Sequence, residues 1–290
     1  MHLWSKIAYM DVPSTGRYGL SAGIVLARNL AEAGLYVFTT EDAVELRPSD
    51  VSPAWVSSLL KSLADAGWIV RLRRGLYAGT GRLPGGVDLP PFAIATSLVK
   101  PSAIAHLSAL AHHELTDQIP LSISAITPRK VVTPSMRGPK APAGPHLWHA
   151  AGLDFRYVVV TPERFGFGIE TIWLDERFRV PITDRERTVL DLFALPRLFG
   201  GLGEGLGVLE HASGEIDVPK LVQYALRHGS IAVAKRLGWS LETTGTSSAV
   251  LAALQKLPAS GYSPLDPGRV RRGRHDRRWM IVDNRAEDRV

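Results

Sequence analysis

The sequence predicts an α+β protein with two domains, and three observations lead to this expectation. Residues 20–80 contain three short helical patterns followed by an alternating two-stranded segment. Residues 83–91 are rich in proline and glycine, as is typical of a linker. After residue 91, helical and strand-like patterns follow one another without a regular β-α-β order. We therefore predict a first domain at residues 1–82 and a larger mixed domain at residues 92–290.

The third helical pattern has one apolar and one polar face. Ser52 suits the N-cap, Pro53 suits the first helical position, and Gly67 is expected to end the helix. Apolar residues at helical spacing are expected to face the domain core: Val56, Leu59, Leu60 and Leu63. The opposite face presents side chains that are free to meet a partner: Trp55, Ser58, Lys61 and Ser62.

The segment after this helix predicts a basic hairpin. Alternation over residues 69–73 puts Arg71 and Arg73 on one face, and Arg74 with Gly75 forms the tip. A helix followed by a basic hairpin is the order of a winged helix-turn-helix, which places the helix in the major groove and the hairpin along phosphates. The sequence thus predicts double-stranded DNA as a partner. The alternative is an ordinary packing unit with solvated arginines.

Other patterns predict the remaining elements. In the first domain we expect a helix at residues 20–33, a short strand at 36–38 that pairs with the hairpin, and a helix from Thr40 to Pro48, with residues 1–19 as an arm. In the second domain we expect helices at 91–98, 102–113, 184–195 and 218–226, and strands at 122–126, 155–160, 169–173 and 279–282. Residues 133–145 and the glycine-rich run 200–207 are expected to be connections.

Composition narrows the class of protein. The chain has 290 residues, 45% of them hydrophobic, which is enough for a substantial core. It has no cysteine, so disulfides and cysteine-based zinc sites are absent. We find neither a signal-peptide pattern nor an apolar run of the ~20 residues that a membrane helix needs. These features predict a cytoplasmic protein without a membrane partner.

The positive charge is concentrated near the end of the chain. The formal net charge is +6, and residues 268–278 hold six arginines and one aspartate. This segment is a second candidate contact with DNA or another partner, through Arg269, Arg271, Arg272 and Arg274. The alternative is a solvated loop.

The second domain offers little catalytic chemistry. His112, His113 and Glu114 are adjacent and make a poor chelate, and His146 with His149 is a weak metal pattern. The glycine-rich run lacks the Lys-Ser/Thr of a phosphate loop. We therefore predict no catalytic residue, metal or cofactor. The helix expected at residues 184–195 carries three charged side chains: Arg185, Arg187 and Asp191. They are expected either to pair with one another on the helix surface or to form a patch that faces a toxin or a nucleotide.

Five segments, taken in order, resemble a known family: Gly67–Tyr77, Ser108–Pro120, Pro181–Leu192, Lys235–Leu241 and Arg278–Asn284. Together they are similar to the AbiEi-type antitoxins, winged-helix transcriptional regulators of bacterial toxin–antitoxin and abortive-infection systems. The resemblance implies a non-enzymatic repressor of its own promoter that binds an inverted-repeat operator. It also implies that the second domain counteracts a cognate nucleotidyltransferase toxin.

The resemblance further implies which residues meet DNA: Ser58, Lys61, Ser62, Arg71, Arg73 and Arg74. Two other functions stay open. One is a regulator that senses a small ligand and has no toxin, and the other is an enzyme that modifies its toxin.

Overall fold

A computed structural model describes residues 17–81, 88–137, 146–211 and 214–285, with side chains from residue 22 onward. Most of the expected arm, Arg82, residues 83–87 of the expected linker and residues 138–145 of the expected loop lie outside the described residues. The chain forms two compact units, Met1–Leu98 with Ala150–Gly152, and Val99–His149 with Leu153–Val290. The helix at Pro91–Leu98 therefore groups with the first unit, although we expected it in the second domain.

The first unit combines helices with a small antiparallel sheet of order β1-β3-β2. Its elements are α1 (Arg17–Glu32), β1 (Val37–Thr39), α2 (Thr40–Glu45), a 3-10 turn (Pro53–Trp55), α3 (Val56–Asp65), β2 (Ile69–Arg73), β3 (Leu76–Gly79) and α4 (Pro91–Leu98). The expected strand near residue 37 does pair with the hairpin, where Phe38 lies opposite Tyr77 and stacks on it with 6.0 Å between ring centroids.

Helix α3 buries the face that its spacing predicts. The four residues that were expected to face the core are all buried against α1, α2 and the hairpin: Val56, Leu59, Leu60 and Leu63. The start differs in detail from the expectation, because Ser52 and Pro53 open a 3-10 turn and the α-helix begins only at Val56. Helix α2 begins at Thr40, as expected, and is capped by Thr39, whose side chain exchanges hydrogen bonds with Asp42 in a capping box.

The second unit is built on a mixed six-stranded sheet of order β6-β7-β5-β4-β9-β8, with helices beside it. Its first elements are β4 (Ala103–Ile104), α5 (His106–His112), β5 (Ile123–Thr127), β6 (Leu147–Ala150), β7 (Leu153–Val159), α6 (Pro162–Phe165), β8 (Ile169–Trp173), β9 (Arg179–Thr183) and α7 (Arg185–Ala194). Parallel and antiparallel pairs occur in the same sheet, since β5 runs parallel to β7 and antiparallel to β4. The α+β class is confirmed.

The rest of the second unit is mainly helical. It comprises α8 (Leu202–His211), α9 (Val218–His228), α10 (Ile231–Thr243), α11 (Ser248–Gln255) and a small sheet of β10 (Ser263–Pro264), β11 (Arg274–Asp276) and β12 (Ile281–Asp283). These helices share one large apolar core with α7. Trp279 is fully buried in that core and lies against α10 at Gly238.

Three expectations for this unit were wrong. Ala103 and Ile104 form a strand between β5 and β9, so α5 begins only at His106. The run 200–207 is largely the start of α8 and not a connection, because burial of apolar residues outweighs the low helix propensity of glycine. The last strand begins at Ile281, since Trp279 and Met280 lie in the turn before it.

Candidate nucleic-acid interface

The exposed face of α3 carries the predicted side chains. Trp55 at its entrance is 45% exposed, and the three polar residues of the following turns are also exposed: Ser58, Lys61 and Ser62. The hydroxyl of Ser62 donates to the Ser58 carbonyl at 3.1 Å, so its own oxygen remains an acceptor. The helix therefore separates a buried apolar face from an exposed face that holds a cation and hydroxyls.

Sequence reasoning missed one residue of this face. Ser57 is exposed on the first turn of α3 and lies four residues before Lys61, which places the two on the same side of the helix. The four-residue spacing from Lys61 would have been enough to place Ser57 on this face from the sequence alone. The first turn matters because residues near the N-terminus of a recognition helix reach base edges most readily.

The hairpin presents a second cationic surface. Arg71, Arg73 and Arg74 are exposed, whereas Leu72 between them is buried. A register shift in the pairing of β2 with β3 lies between Arg71 and Arg73. It does not turn either arginine inward, so both guanidinium groups stay on the outside.

Hydrogen bonds fix the hairpin to its unit at both ends. The Thr80 hydroxyl lies 3.1 Å from the Gly67 carbonyl and 3.0 Å from that of Trp68, which closes the base. At the tip, the Thr40 amide donates to the Gly75 carbonyl at 3.2 Å. Gly75 has a φ of 72°, a left-handed conformation that glycine adopts without strain. The hairpin that carries the arginines is thus closed at its base and joined to the start of α2 at its tip.

Charge in this region is strongly biased. Residues 55–75 contain four cations (Lys61, Arg71, Arg73, Arg74) and one anion (Asp65), a net charge of +3 within 21 residues. Clustered cations of this kind supply the phosphate contacts that dominate affinity for nucleic acid.

The arginine-rich segment of the second unit is exposed but partly engaged by its own chain. Exposed side chains include all four candidates: Arg269, Arg271, Arg272 and Arg274. Arg269 donates to the Arg285 carbonyl at 3.0 Å, and Arg271 donates to the carbonyl of Tyr262. Two of the four guanidinium groups therefore help to hold the loop in place.

The polar group on α7 is mostly internal. Arg187 and Asp191 are 1% and 3% exposed and pair with each other, so a macromolecular partner does not reach them in this conformation. Only Arg185 is accessible, and it pairs with Glu215 at 2.7 Å. An interpretation of all three residues as one exposed, toxin-facing surface therefore does not fit the geometry.

Two of the histidines considered as metal ligands contact other groups of their own chain. His113 Nε2 lies 2.8 Å from the Thr183 carbonyl, and His149 contacts Asp154. In the part of the chain that the structure describes, no three His, Asp or Glu side chains are placed to share a metal ion. No described helix is both long and apolar enough to cross a membrane.

The antiparallel three-stranded sheet, the buried and exposed faces of α3 and the basic hairpin define a winged helix-turn-helix domain. Residues 26–78 match the family described as "Transcriptional regulator, AbiEi antitoxin". The resemblance drawn from the sequence is thereby confirmed for this segment, and the family is one of DNA-binding antitoxins rather than of enzymes.

Two further comparisons extend this result. The crystal structure of the RV2827C protein from Mycobacterium tuberculosis is similar over 91% of this chain and 92% of that chain, with a TM-score of 0.61 and 15% sequence identity. At this identity the likeness concerns the fold alone. No curated protein matches the sequence significantly.

Proposed function

We propose that this protein represses its own promoter and counteracts a nucleotidyltransferase-type toxin encoded beside it. The observation that carries the DNA-binding part is the exposed cationic face of α3 and the hairpin, within the segment that matches the family. In this proposal, Ser58, Lys61 and Ser62 of α3 enter the major groove, with Trp55 at its edge. The hairpin arginines Arg71, Arg73 and Arg74 neutralise the flanking phosphates.

The operator in this proposal is an inverted repeat bound by two copies of the chain. Each copy reads one half-site, so the half-sites lie about 10 base pairs apart, or a multiple of that, on one face of the duplex. Arg269, Arg271, Arg272 and Arg274 are candidates for a further contact with the DNA or with a partner protein, because their side chains are exposed.

A footprint on the DNA upstream of the gene tests the repressor function. We expect protection of a symmetric segment with that half-site spacing, at protein concentrations that leave random DNA unprotected. The outcome against the proposal is protection that never exceeds that of random DNA.

Co-expression with the adjacent nucleotidyltransferase tests the antitoxin function separately. The full chain should restore growth, and a variant with Arg71, Arg73 and Arg74 replaced by alanine should restore growth equally while losing repression. The antitoxin proposal fails if the wild-type chain leaves the toxin active. ATP-dependent labelling of the toxin by the purified protein would instead favour the enzyme alternative.

A further inference from the structure

The second unit contains a cavity of about 250 Å³. Seven of its elements contribute to the wall: α5, β5, β7, α6, α7, α9 and α10. Two of the lining residues, Val159 and Thr161, are exposed, so the cavity reaches the protein surface. All of its lining residues belong to this unit, and none of them belongs to the candidate nucleic-acid interface.

Three buried polar side chains of the wall have atoms without a hydrogen-bond partner among the described residues. They are both ring nitrogens of His106, Oδ2 of Asp191 and Nδ1 of His228. All three residues are more than nine-tenths buried. Buried polar atoms of folded proteins are almost always paired, because each unpaired atom loses its hydration without compensation. Three such residues around one cavity therefore indicate a site that binds a polar molecule.

His106 is held in place by its backbone and by its neighbours. It opens α5 with a φ of 56°, a left-handed conformation that is uncommon for residues other than glycine. Its ring lies edge-on to Phe199, with 5.9 Å between centroids. Strained backbone of this kind persists where the surrounding structure demands one side-chain position.

The charges of the wall disfavour a cation. Burial lowers the pKa of His106 to about 4, with Asp191 opposing this shift, and burial together with Arg164 lowers the pKa of His228 to about 4. Both rings are therefore neutral at pH 7. The remaining charged groups are Arg164, Arg187 and Asp191, a net charge of +1, of which Arg187 and Asp191 form an ion pair. A positively charged ligand would meet this excess of positive charge.

The unpaired atoms specify the ligand's hydrogen bonds. A neutral imidazole has one N–H donor and one nitrogen acceptor, and a carboxylate oxygen is only an acceptor. A ligand that satisfies His106 and Asp191 therefore supplies at least two donors and one acceptor close together. Ring N–H groups beside carbonyl groups meet this requirement.

The remaining wall favours a flat ring. Aliphatic side chains line it, namely Ile126, Val158, Val160, Ala194, Leu195 and Val233. Apolar surfaces of this kind stabilise a ring face better than a hydrated polyol. At about 30 Å³ per water molecule, the cavity has room for roughly eight waters, which is enough for a one- or two-ring heterocycle.

We propose that this cavity binds a small uncharged heterocycle that carries ring N–H and carbonyl groups, of the size of a pyrimidine or purine base. His106 and Asp191 pair with its polar edge, and the aliphatic wall covers its faces. The site is independent of the DNA proposal, since ligand binding is measured without DNA and either proposal can fail alone.

Two matched pairs of compounds test the proposal on the full-length protein by saturation-transfer NMR. The first pair is uracil and 1,3-dimethyluracil, and the second is 3-methylxanthine and caffeine. Within each pair the ring is the same and N–H groups are replaced by N–CH3. We expect at least one N–H compound to bind, and its methylated counterpart to bind about tenfold more weakly or worse, because a hydrogen bond to a buried charged or polar group is lost.

Variants that fill the cavity test whether the compounds bind inside it. Ala194→Leu narrows the cavity and should abolish the signal, whereas Ala232→Leu, a similar change at a half-buried residue that does not line the cavity, should retain it. Val160→Phe is a second cavity-filling variant in case Ala194→Leu does not fold. The proposal is overturned if neither N–H compound binds at millimolar concentration. It is also overturned if the methylated compounds bind equally well, or if folded cavity-filling variants still bind.

Discussion

Arg187 and Asp191 form a buried ion pair along one side of α7, with 3.0 Å between Nε and Oδ1. The same guanidinium donates to the carbonyls of Arg164 and Phe167 at 2.6 and 3.2 Å and lies over the Phe167 ring. The pair therefore joins α7 to α6 and to the segment that follows α6, and Asp191 lines the cavity.

Replacing Arg187 should destabilise the protein strongly. In Arg187→Met, Asp191 keeps its burial but loses its cation, which typically costs about 3–5 kcal/mol. Arg185→Met on the same helix is the control. It removes an exposed pair with Glu215 and should cost at most about 1 kcal/mol. Urea unfolding measures both, and equal losses would contradict a special role for the buried pair.

The sequence predicted local features better than long-range ones. The spacing of Val56, Leu59, Leu60 and Leu63 was sufficient to orient α3, because a helix repeats within a few residues. A two-residue strand such as β4 has no measurable period, and its place beside β5 and β9 depends on residues far along the chain.

The cavity could not be predicted from the sequence, because it too depends on residues far apart along the chain. His106, Asp191 and His228 lie on three different helices, and only packing brings them around one space. Arg187 and Asp191 are four residues apart, which allows them to pair on one side of a helix, but this spacing is the same on an exposed face and so did not predict the burial of the pair.

Two glycines in helices should respond oppositely to alanine. A Cβ on Gly238 would lie 2.2 Å from a ring carbon of Trp279, so Gly238→Ala forces the buried ring to move and should cost about 1–3 kcal/mol. Gly207 in α8 has no such neighbour within 4 Å, and Gly207→Ala should stabilise the helix by about 0.5–1 kcal/mol. Thermal unfolding distinguishes the two, and a loss of stability in Gly207→Ala would argue against α8 as described.

His106 should make the protein sensitive to acid. Its pKa falls from 6.5 in the unfolded chain to about 4 in the fold, mainly through burial. Well above pH 6.5 the His106 ring is neutral in both the folded and the unfolded chain, so it does not make the free energy of unfolding depend on pH. As the pH drops towards 4, the unfolded chain binds a proton that the folded protein does not, so the free energy of unfolding declines.

Urea unfolding at pH 7 and pH 4.5 measures this effect. His106→Asn removes the titrating ring, and asparagine tolerates the positive φ of this position. The acid-induced loss in the variant should be smaller than in the wild type by about 2 kcal/mol. His228, whose pKa is also lowered to about 4, remains in both proteins and does not affect the difference. An unchanged loss would contradict the neutral, buried state of His106.

The face of α3 should discriminate between DNA sequences. If Lys61 or Ser58 contacts a base edge, Lys61→Ala or Ser58→Ala should weaken operator binding by about 1–3 kcal/mol and leave binding to random DNA nearly unchanged. Ala54→Ser, an exposed change in the 3-10 turn before the helix, serves as a control for altered surface. Equal losses on operator and random DNA would reassign the residue to a phosphate contact.

The salt dependence of operator affinity shows whether the basic hairpin binds the phosphates of DNA. For the variant with Arg71, Arg73 and Arg74 changed to alanine, the slope of log affinity against log salt should become shallower by up to about 2.7, at about 0.9 per lost phosphate contact. A variant with Arg129, Arg177 and Arg179 changed to alanine removes the same charge from the exposed surface of the second unit and should keep the wild-type slope. Identical slopes for the wild type and both variants would contradict the account.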